Sequence, residues 1–239
     1  ELSNRKTLEE IGKDDSKFLM IKNLAHIEAF YQYKTEQAQA LLEEALGMSG
    51  MSESAIASCK LELGDILLLS GSIWDASLLY SQVEKTYHHD LIGQEAKFKN
   101  AKLAYYTGDF KWAQSQCDIL KGATSKLIAN DALELALLIS DNSTLDTNLV
   151  PLTMFARADL LIFQNKDSSA LQTLDSIKTL FYTHALADDI LYKKYQIMIK
   201  KRKFEDAAGF LAALLKDYSF DILGDDAIFK LAELYENKL

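Results

Sequence analysis

Alanine at one place in five successive stretches is the feature that most limits what this chain can become. Ala38, Ala76, Ala113, Ala170 and Ala207 each stand at position 20 of frames opening at residues 19, 57, 94, 151 and 188. The steps from 57 to 94, from 151 to 188 and from 188 to a further frame at 225 are all 37 residues. In the frame from Ala57, Gly64 falls at position 8, Leu67 at 11, Gly71 at 15, Ile73 at 17, Tyr80 at 24 and Val83 at 27. The frame from Gln94 gives Ala101, Ala104, Gly108, Phe110, Cys117 and Leu120 at the same places. The frames from Pro151 and Asp188 give Ala158, Leu161, Asn165, Leu174 and Ile177, then Tyr195, Met198, Phe204, Leu211 and Leu214. Small residues at 8 and 20 let two helices approach closely, while large apolar residues around them fill the remaining space. Gly71 sits where a first helix must end, and Ser72, three residues before Asp75, is placed to cap the second.

In this spacing the chain resembles the tetratricopeptide repeat family over nearly its whole length, with repeats about three residues longer than is usual there. Two family positions differ: Lys60, Lys97, Met154 and Leu191 replace the tryptophan at position 4, and His88, Ser125, Tyr182 and Ser219 replace the proline at position 32. The resemblance implies an all-α fold, an α-α superhelix of antiparallel helix pairs wound as a right-handed solenoid of about twelve helices. It also implies a concave face lined by first-helix positions 2, 5, 6, 9, 12 and 13. Carried onto this chain, those positions nominate Tyr31, Leu61, Phe98, Lys102, Tyr105, Tyr106, Phe155, Phe163 and Tyr192 as a partner-binding groove. A groove so rich in aromatic side chains suits an extended peptide or a helix. The carboxylate clamp by which some members hold an acidic C-terminal tail is not reproduced, because Asp65 and Asp159 stand at position 9 beside the lysines Lys99, Lys102 and Lys193.

The domain reading is a single solenoid over 1–239, with repeats from near 19, 57, 94, 151 and 188 and a half repeat from 225. Residues 1–15 read as a polar tail or the remnant of a preceding helix. The interval from 94 to 151 holds one repeat and a further segment, read as an inserted helix and loop over 125–148: a helix from about Ser125 to Ser140, then the polar run from Asp141 to Asn148 that ends it. Pro151 falls in the first turn of the next helix, where its missing amide proton costs nothing. The half repeat brings Ile228, Leu231, Ala232 and Tyr235 to positions 4, 7, 8 and 11 with no second helix to cover them. The expectation is therefore a fragment of a longer repeat protein, or cover supplied by self-association. The chain begins at Glu1 without methionine, which fits a processed or cut-down form.

Composition narrows the function classes. One proline and ten glycines in 239 residues leave few helix breakers, and no sheet is expected. A net charge of −9 argues against nucleic acid, which is bound by neutralising phosphates with many lysines and arginines. The basic run from Lys200 to Lys203 falls at an inter-helix turn, where positive charge suits a helix C-terminus. Cys59 and Cys117 are expected to be unbridged core thiols. Such scarce cysteine fits the cytoplasm and a bacterial periplasm alike, so the compartment of this soluble chain stays open between the two. No apolar run approaches the length of a membrane span.

No chemistry is announced. His26, His88, His89 and His184 are expected to be exposed turn groups, and no two of them form a metal-binding i, i+4 pair with a carboxylate. Glycine-rich phosphate loops, nucleophile elbows and Cys-x-x-Cys pairs are missing from the sequence. Catalytic, cofactor and metal residues are accordingly none. The reading is a non-enzymatic, bacterial-looking scaffold for protein-protein interaction, holding a protein or peptide partner in its groove. One alternative is an RNA-binding helical repeat, which needs a basic groove. A second is a hydrolase with its site near the inserted helix, which needs a buried carboxylate pair or a metal.

Overall fold

The computed structural model describes residues 15–123, 125–143, 148–181 and 184–238. The expectations for the N-terminal tail and for residues 144–147 of the polar run lie outside them. Twelve helices and no strand occur among the described residues: α1 (Asp15–Phe30), α2 (Thr35–Gly47), α3 (Glu53–Ser70), α4 (Ile73–Thr86), α5 (Leu91–Thr107), α6 (Phe110–Leu120), α7 (Lys126–Ser143), α8 (Val150–Phe163), α9 (Asp167–Leu180), α10 (Ala187–Lys200), α11 (Phe204–Tyr218) and α12 (Leu223–Asn237). The inserted helix, α7, runs three residues further than its apolar pattern suggests, taking in Asp141, Asn142 and Ser143.

The chain divides into two compact units. One holds the described residues up to Tyr105 together with Asp109–Ala136; the other holds Tyr106–Gly108 and the described residues from Leu137 onward. In the first, α1 packs on α2, α3 on α4, and the first helices α1 and α3 on each other. In the second, α8 packs on α9, α10 on α11 and α11 on α12, with α9 and α12 both touching α10. Helix hairpins that meet their sequence neighbours through successive first helices are the build of an all-α, tetratricopeptide-like helical repeat.

Each hairpin closes on the same residues. Ala38, Ala76, Ala113, Ala170 and Ala207 have no exposed surface at all. One and two turns further along the second helices, positions 24 and 27 are Leu42 and Ala45, Tyr80 and Val83, Cys117 and Leu120, Leu174 and Ile177, and Leu211 and Leu214, every one of them buried. The first helix meets this stripe at position 8, where Ala101 and Ala158 are fully covered. Gly64 holds that place in α3 for a steric reason: a β-carbon there would come 2.4 Å from Cε1 of Tyr80.

The turn between paired helices is also shared. Position 15 is Tyr33, Gly71, Gly108, Asn165 and Arg202, with φ of +59°, +100°, +87°, +58° and +56°, so all five adopt the left-handed conformation. In four of the turns the following amide donates back to the carbonyl of position 11: Ser72 to Leu67, Asp109 to Ala104, Lys166 to Leu161 and Lys203 to Met198, at 2.8–2.9 Å. That six-to-one bond is the Schellman closure of a helix C-terminus. In the first turn Lys34 donates to Glu28 instead. Glycine adopts this backbone freely, and the three other residues carry a β-carbon against the following carbonyl. The expected Ser72 cap is not formed: its side chain accepts no bond from α4, and the amide of Ser72 is spent on the Schellman closure instead. Side-chain caps occur at Ser52, which accepts from the Ala55 amide, and at Asp109, which accepts from the Trp112 amide.

Two substitutions test this account of the hairpin. Arg202→Gly relieves the left-handed strain and should raise stability by about 1 kcal/mol in urea titration, whereas Gly71→Ala introduces the same strain and should lower it by about 1–2 kcal/mol. Gly64→Ala should lower stability by about 1–3 kcal/mol through its clash with the buried Tyr80 ring, despite alanine's better helix propensity. A neutral or stabilising Gly64→Ala would show that the two helices are not in close contact there.

Candidate functional site

The face made by successive first helices is held by an ion pair that recurs with the repeat. In the first unit, Asp65 at position 9 of α3 accepts from Lys99 at position 6 of α5, at 2.7 and 3.0 Å. In the second, Asp159 at position 9 of α8 pairs with Lys193 at position 6 of α10, at 3.1 Å. The first pair is the more elaborate. Tyr80, whose ring fills the space left by Gly64, donates its hydroxyl to Asp65 at 2.6 Å, and Glu95 lies 3.7 Å from Lys99. Burial works against the Lys99 ammonium, yet the facing carboxylates outweigh it, and the pKa stands above the usual lysine value. One step earlier, His26 Nδ1 and Glu62 Oε1 are 2.8 Å apart between α1 and α3. Burial raises the Glu62 pKa above the ordinary carboxylate value, against the downward pull of the His26 hydrogen bond.

A second polar row ties α4 to α5 and α9 to α10. Asn100 at position 7 of α5 is buried, donating to Glu84 at 2.9 Å and to Ser81 at 3.3 Å on α4. Its counterpart in the second unit is Lys194 at position 7 of α10, buried too, which donates to Asp175 on α9 and lies 5.7 Å from the centroid of the Phe210 ring. Both reach position 25 of the preceding frame, as Ser81 and Asp175. Lys200 of the basic run spans consecutive turns in the same manner, donating to Asn165 at 2.6 Å and Asp167 at 2.9 Å.

The nine nominated groove residues divide by burial. Leu61, Tyr105 and Phe155 are interior, at 4%, 1% and 0% exposure, so as the chain is folded they pack between helices and present no surface to a partner. Tyr31 is 72% exposed. Phe98, Lys102, Tyr106, Phe163 and Tyr192 are half-buried, and the Tyr192 ring lies 5.4 Å from that of Tyr195. Each unit thus carries some of the nominated aromatics on its surface. Lys99 and Lys193, two of the three lysines weighed for a carboxylate clamp, are engaged by Asp65 and Asp159.

The histidines are not all turn groups. His88 and His89 lie in the turn after α4 with rings 3.7 Å apart, and His184 accepts from the Leu186 amide just before α10. His26, by contrast, is in mid-helix, stacked on Phe30 at 4.7 Å and bonded to Glu62. Cys59 and Cys117 are free and buried, and burial pushes the Cys117 thiol up to about 11. Among the described residues no cluster of histidine, cysteine or carboxylate side chains has the makings of a metal site, and no helix is long and apolar enough to cross a membrane.

Neither a protein-family model nor a curated protein sequence matches the chain. Among solved structures, the crystal structure of a tetratricopeptide repeat protein from Parabacteroides merdae is similar, with 16% identity and a TM-score of 0.45 over 98% of this chain and 90% of that one. A likeness so distant says nothing of what either protein binds.

The start of α10 supplies a pH test. Asp189 is pushed up to about 7, first by burial and then by Asp188, with Asp159 and Asp141 adding to the repulsion and Lys193 opposing it. A carboxyl raised in the folded state stabilises the fold while protonated, and that stability is lost as pH rises from about 4 to about 7. Asp189→Asn should therefore gain on the wild-type protein across that interval, by about 4 kcal/mol in all, and hold a constant advantage once pH is well above 7. Urea titrations at pH 5, 6, 7 and 8 measure it, and a pH-independent difference would contradict the assignment.

Proposed function

We propose that the chain is a non-enzymatic interaction scaffold whose first-helix faces hold a protein or peptide partner. The repeat units are taken as the frames from 19, 57, 94, 151 and 188, with a half repeat from 225. The supporting observation is the recurrence of the Asp65–Lys99 and Asp159–Lys193 pairs at equivalent positions. They lock neighbouring first helices in register and so present Phe98 in one unit and Tyr192 in the other on a rigid backing. A preorganised surface loses less freedom on binding, and half-buried aromatic rings supply contact area at small entropic cost. The same pairs cancel lysine charge on this face, which counts against the RNA reading.

A displayed library of random peptides selected on the intact chain tests the partner face. Selected peptides should carry apolar or aromatic anchors, and Phe98→Ala or Tyr192→Ala should weaken those that bind the corresponding unit by tenfold or more, with circular dichroism unchanged. Phe155→Ala should instead cost about 3–5 kcal/mol of stability, as expected of a ring wholly in the core. Peptides that bind both half-buried variants as tightly as the wild type would refute the assignment of this face.

A further inference from the structure

We infer that the second unit holds a peptide carrying an arginine or lysine beside its apolar anchor, with the anchor on Tyr192 and the basic side chain meeting Asp189. This rests on the reading of the first-helix faces as partner surfaces and names the chemistry of what one of them takes. Asp189 and Tyr192 stand at positions 2 and 5 of the frame from 188, three residues apart in α10, and so share one side of that helix. Both are half-buried. Charge on this side is uneven. Asp159 on α8 is paired with Lys193 at 3.1 Å, and Asp188 accepts from its own amide and that of Asp189 at the start of α10. Asp189 has no such partner: among the described residues no hydrogen bond or ion pair reaches its carboxylate. Three negative groups face it, Asp188 on its own helix, Asp159 from α8 and Asp141 from α7, against one positive group, Lys193. Asp221, in the turn before α12, adds its charge to that of Asp188.

Charge complementarity indicates the occupant. These carboxylates come from four places in the unit, and among the described residues they form no group that could hold a metal ion. A basic side chain asks less of its site: one carboxylate to pair with and a negative field around it. Arginine suits the place best, because its planar head can pair with Asp189 while lying on the neighbouring Tyr192 ring. The equivalent place in the first unit is different. Its position-2 carboxylate, Glu95, lies 3.7 Å from Lys99, and Lys102 adds a second lysine at position 9 of the same frame. Binding in the second unit should also depend on pH. Burial and the surrounding aspartates push the free Asp189 up to about 7, and a bound cation favours its ionised form, so capture releases a proton. Affinity for a basic peptide should therefore rise between pH 6 and pH 8, by up to about tenfold, as the ionised share of Asp189 grows.

The displayed random-peptide library is the probe, selected on the intact chain at pH 8 and sorted by loss of binding to Tyr192→Ala or to Phe98→Ala. Peptides lost on Tyr192→Ala should carry arginine or lysine beside an apolar or aromatic residue, and peptides lost on Phe98→Ala should show no such requirement. Synthesised with a fluorescent label and read by anisotropy, the first group should bind Asp189→Asn at least tenfold more weakly at pH 8 and about equally at pH 6. Replacing the peptide's basic residue by glutamine should weaken binding to the wild-type chain by a similar factor and leave binding to Asp189→Asn unchanged, which marks a direct pairing of the two groups. Circular dichroism on each variant checks that the helices persist. Tyr192-dependent peptides without a basic residue would overturn the inference and leave the partner face standing, as would a glutamine effect that is the same on Asp189→Asn. A basic residue required equally by Phe98-dependent peptides would overturn it too, because general attraction to a chain of net charge −9 would then suffice. A library that yields no Tyr192-dependent peptide would defeat both this inference and the partner reading of that unit.

Discussion

Each hairpin depends on an approach of two helices so close that position 20 admits only a methyl group. The five alanines there have no exposed surface, and the residues at positions 24 and 27 continue the same stripe into the core. Once that contact is fixed, the geometry of the turn follows, since the first helix must stop and reverse within two to four residues. The same left-handed residue at position 15 does this in all five hairpins, whether it is glycine, asparagine, arginine or tyrosine. That three of them tolerate a strained backbone shows tertiary packing overriding local preference, because the hairpin contact outweighs about 1–2 kcal/mol of strain.

Polar contacts then set how neighbouring repeats meet. An aspartate at position 9 meets a lysine at position 6 of the next frame, and a buried polar residue at position 7 reaches back to position 25 of the frame before. Isolated surface ion pairs contribute little, but these are partly covered, and Asp65 also accepts from a buried tyrosine. A chain of net charge −9 thus commits several lysines to structure. On the first-helix faces Lys99 and Lys193 are compensated by Asp65 and Asp159. On the proposed reading, that compensation suits recognition of apolar side chains better than recognition of phosphate or of an acidic tail.

The part of the fold that depends on spacing alone was legible in the sequence. Alanine at 20 and the buried residues at 24 and 27 are where every hairpin closes, with a small residue at 8 facing them in the frames from 57, 94 and 151, and Pro151 does open α8. What spacing could not convey is which neighbours cover a residue. Leu61, Phe155 and Tyr192 all occupy position 5, yet the first two are interior and the third is half-exposed, because cover there depends on the adjoining repeat. Tyr105 and Tyr106 are adjacent and differ in the same way, since one step along a helix turns a side chain by about 100°. Ser72 carried a capping signature, but the Schellman closure took its amide and held its backbone away from capping geometry. Asn100 and Lys194 went unnoticed as polar residues on a helical chain; their shared place at position 7, on an otherwise apolar side, was the available signal.

The close contact at position 20 is open to one direct measurement: leucine substituted singly at Ala38, Ala76, Ala113, Ala170 and Ala207, with Ala40→Leu, at an exposed position of α2, as the control. If every hairpin closes at this methyl group, each of the five substitutions overpacks a filled contact and lowers the stability of its unit by about 1–3 kcal/mol in urea titration, while Ala40→Leu stays within about 0.5 kcal/mol of wild type. Leucine tolerated at several of the five as readily as at Ala40 would mean that the helices do not meet there, and that the repeat is not built on this contact.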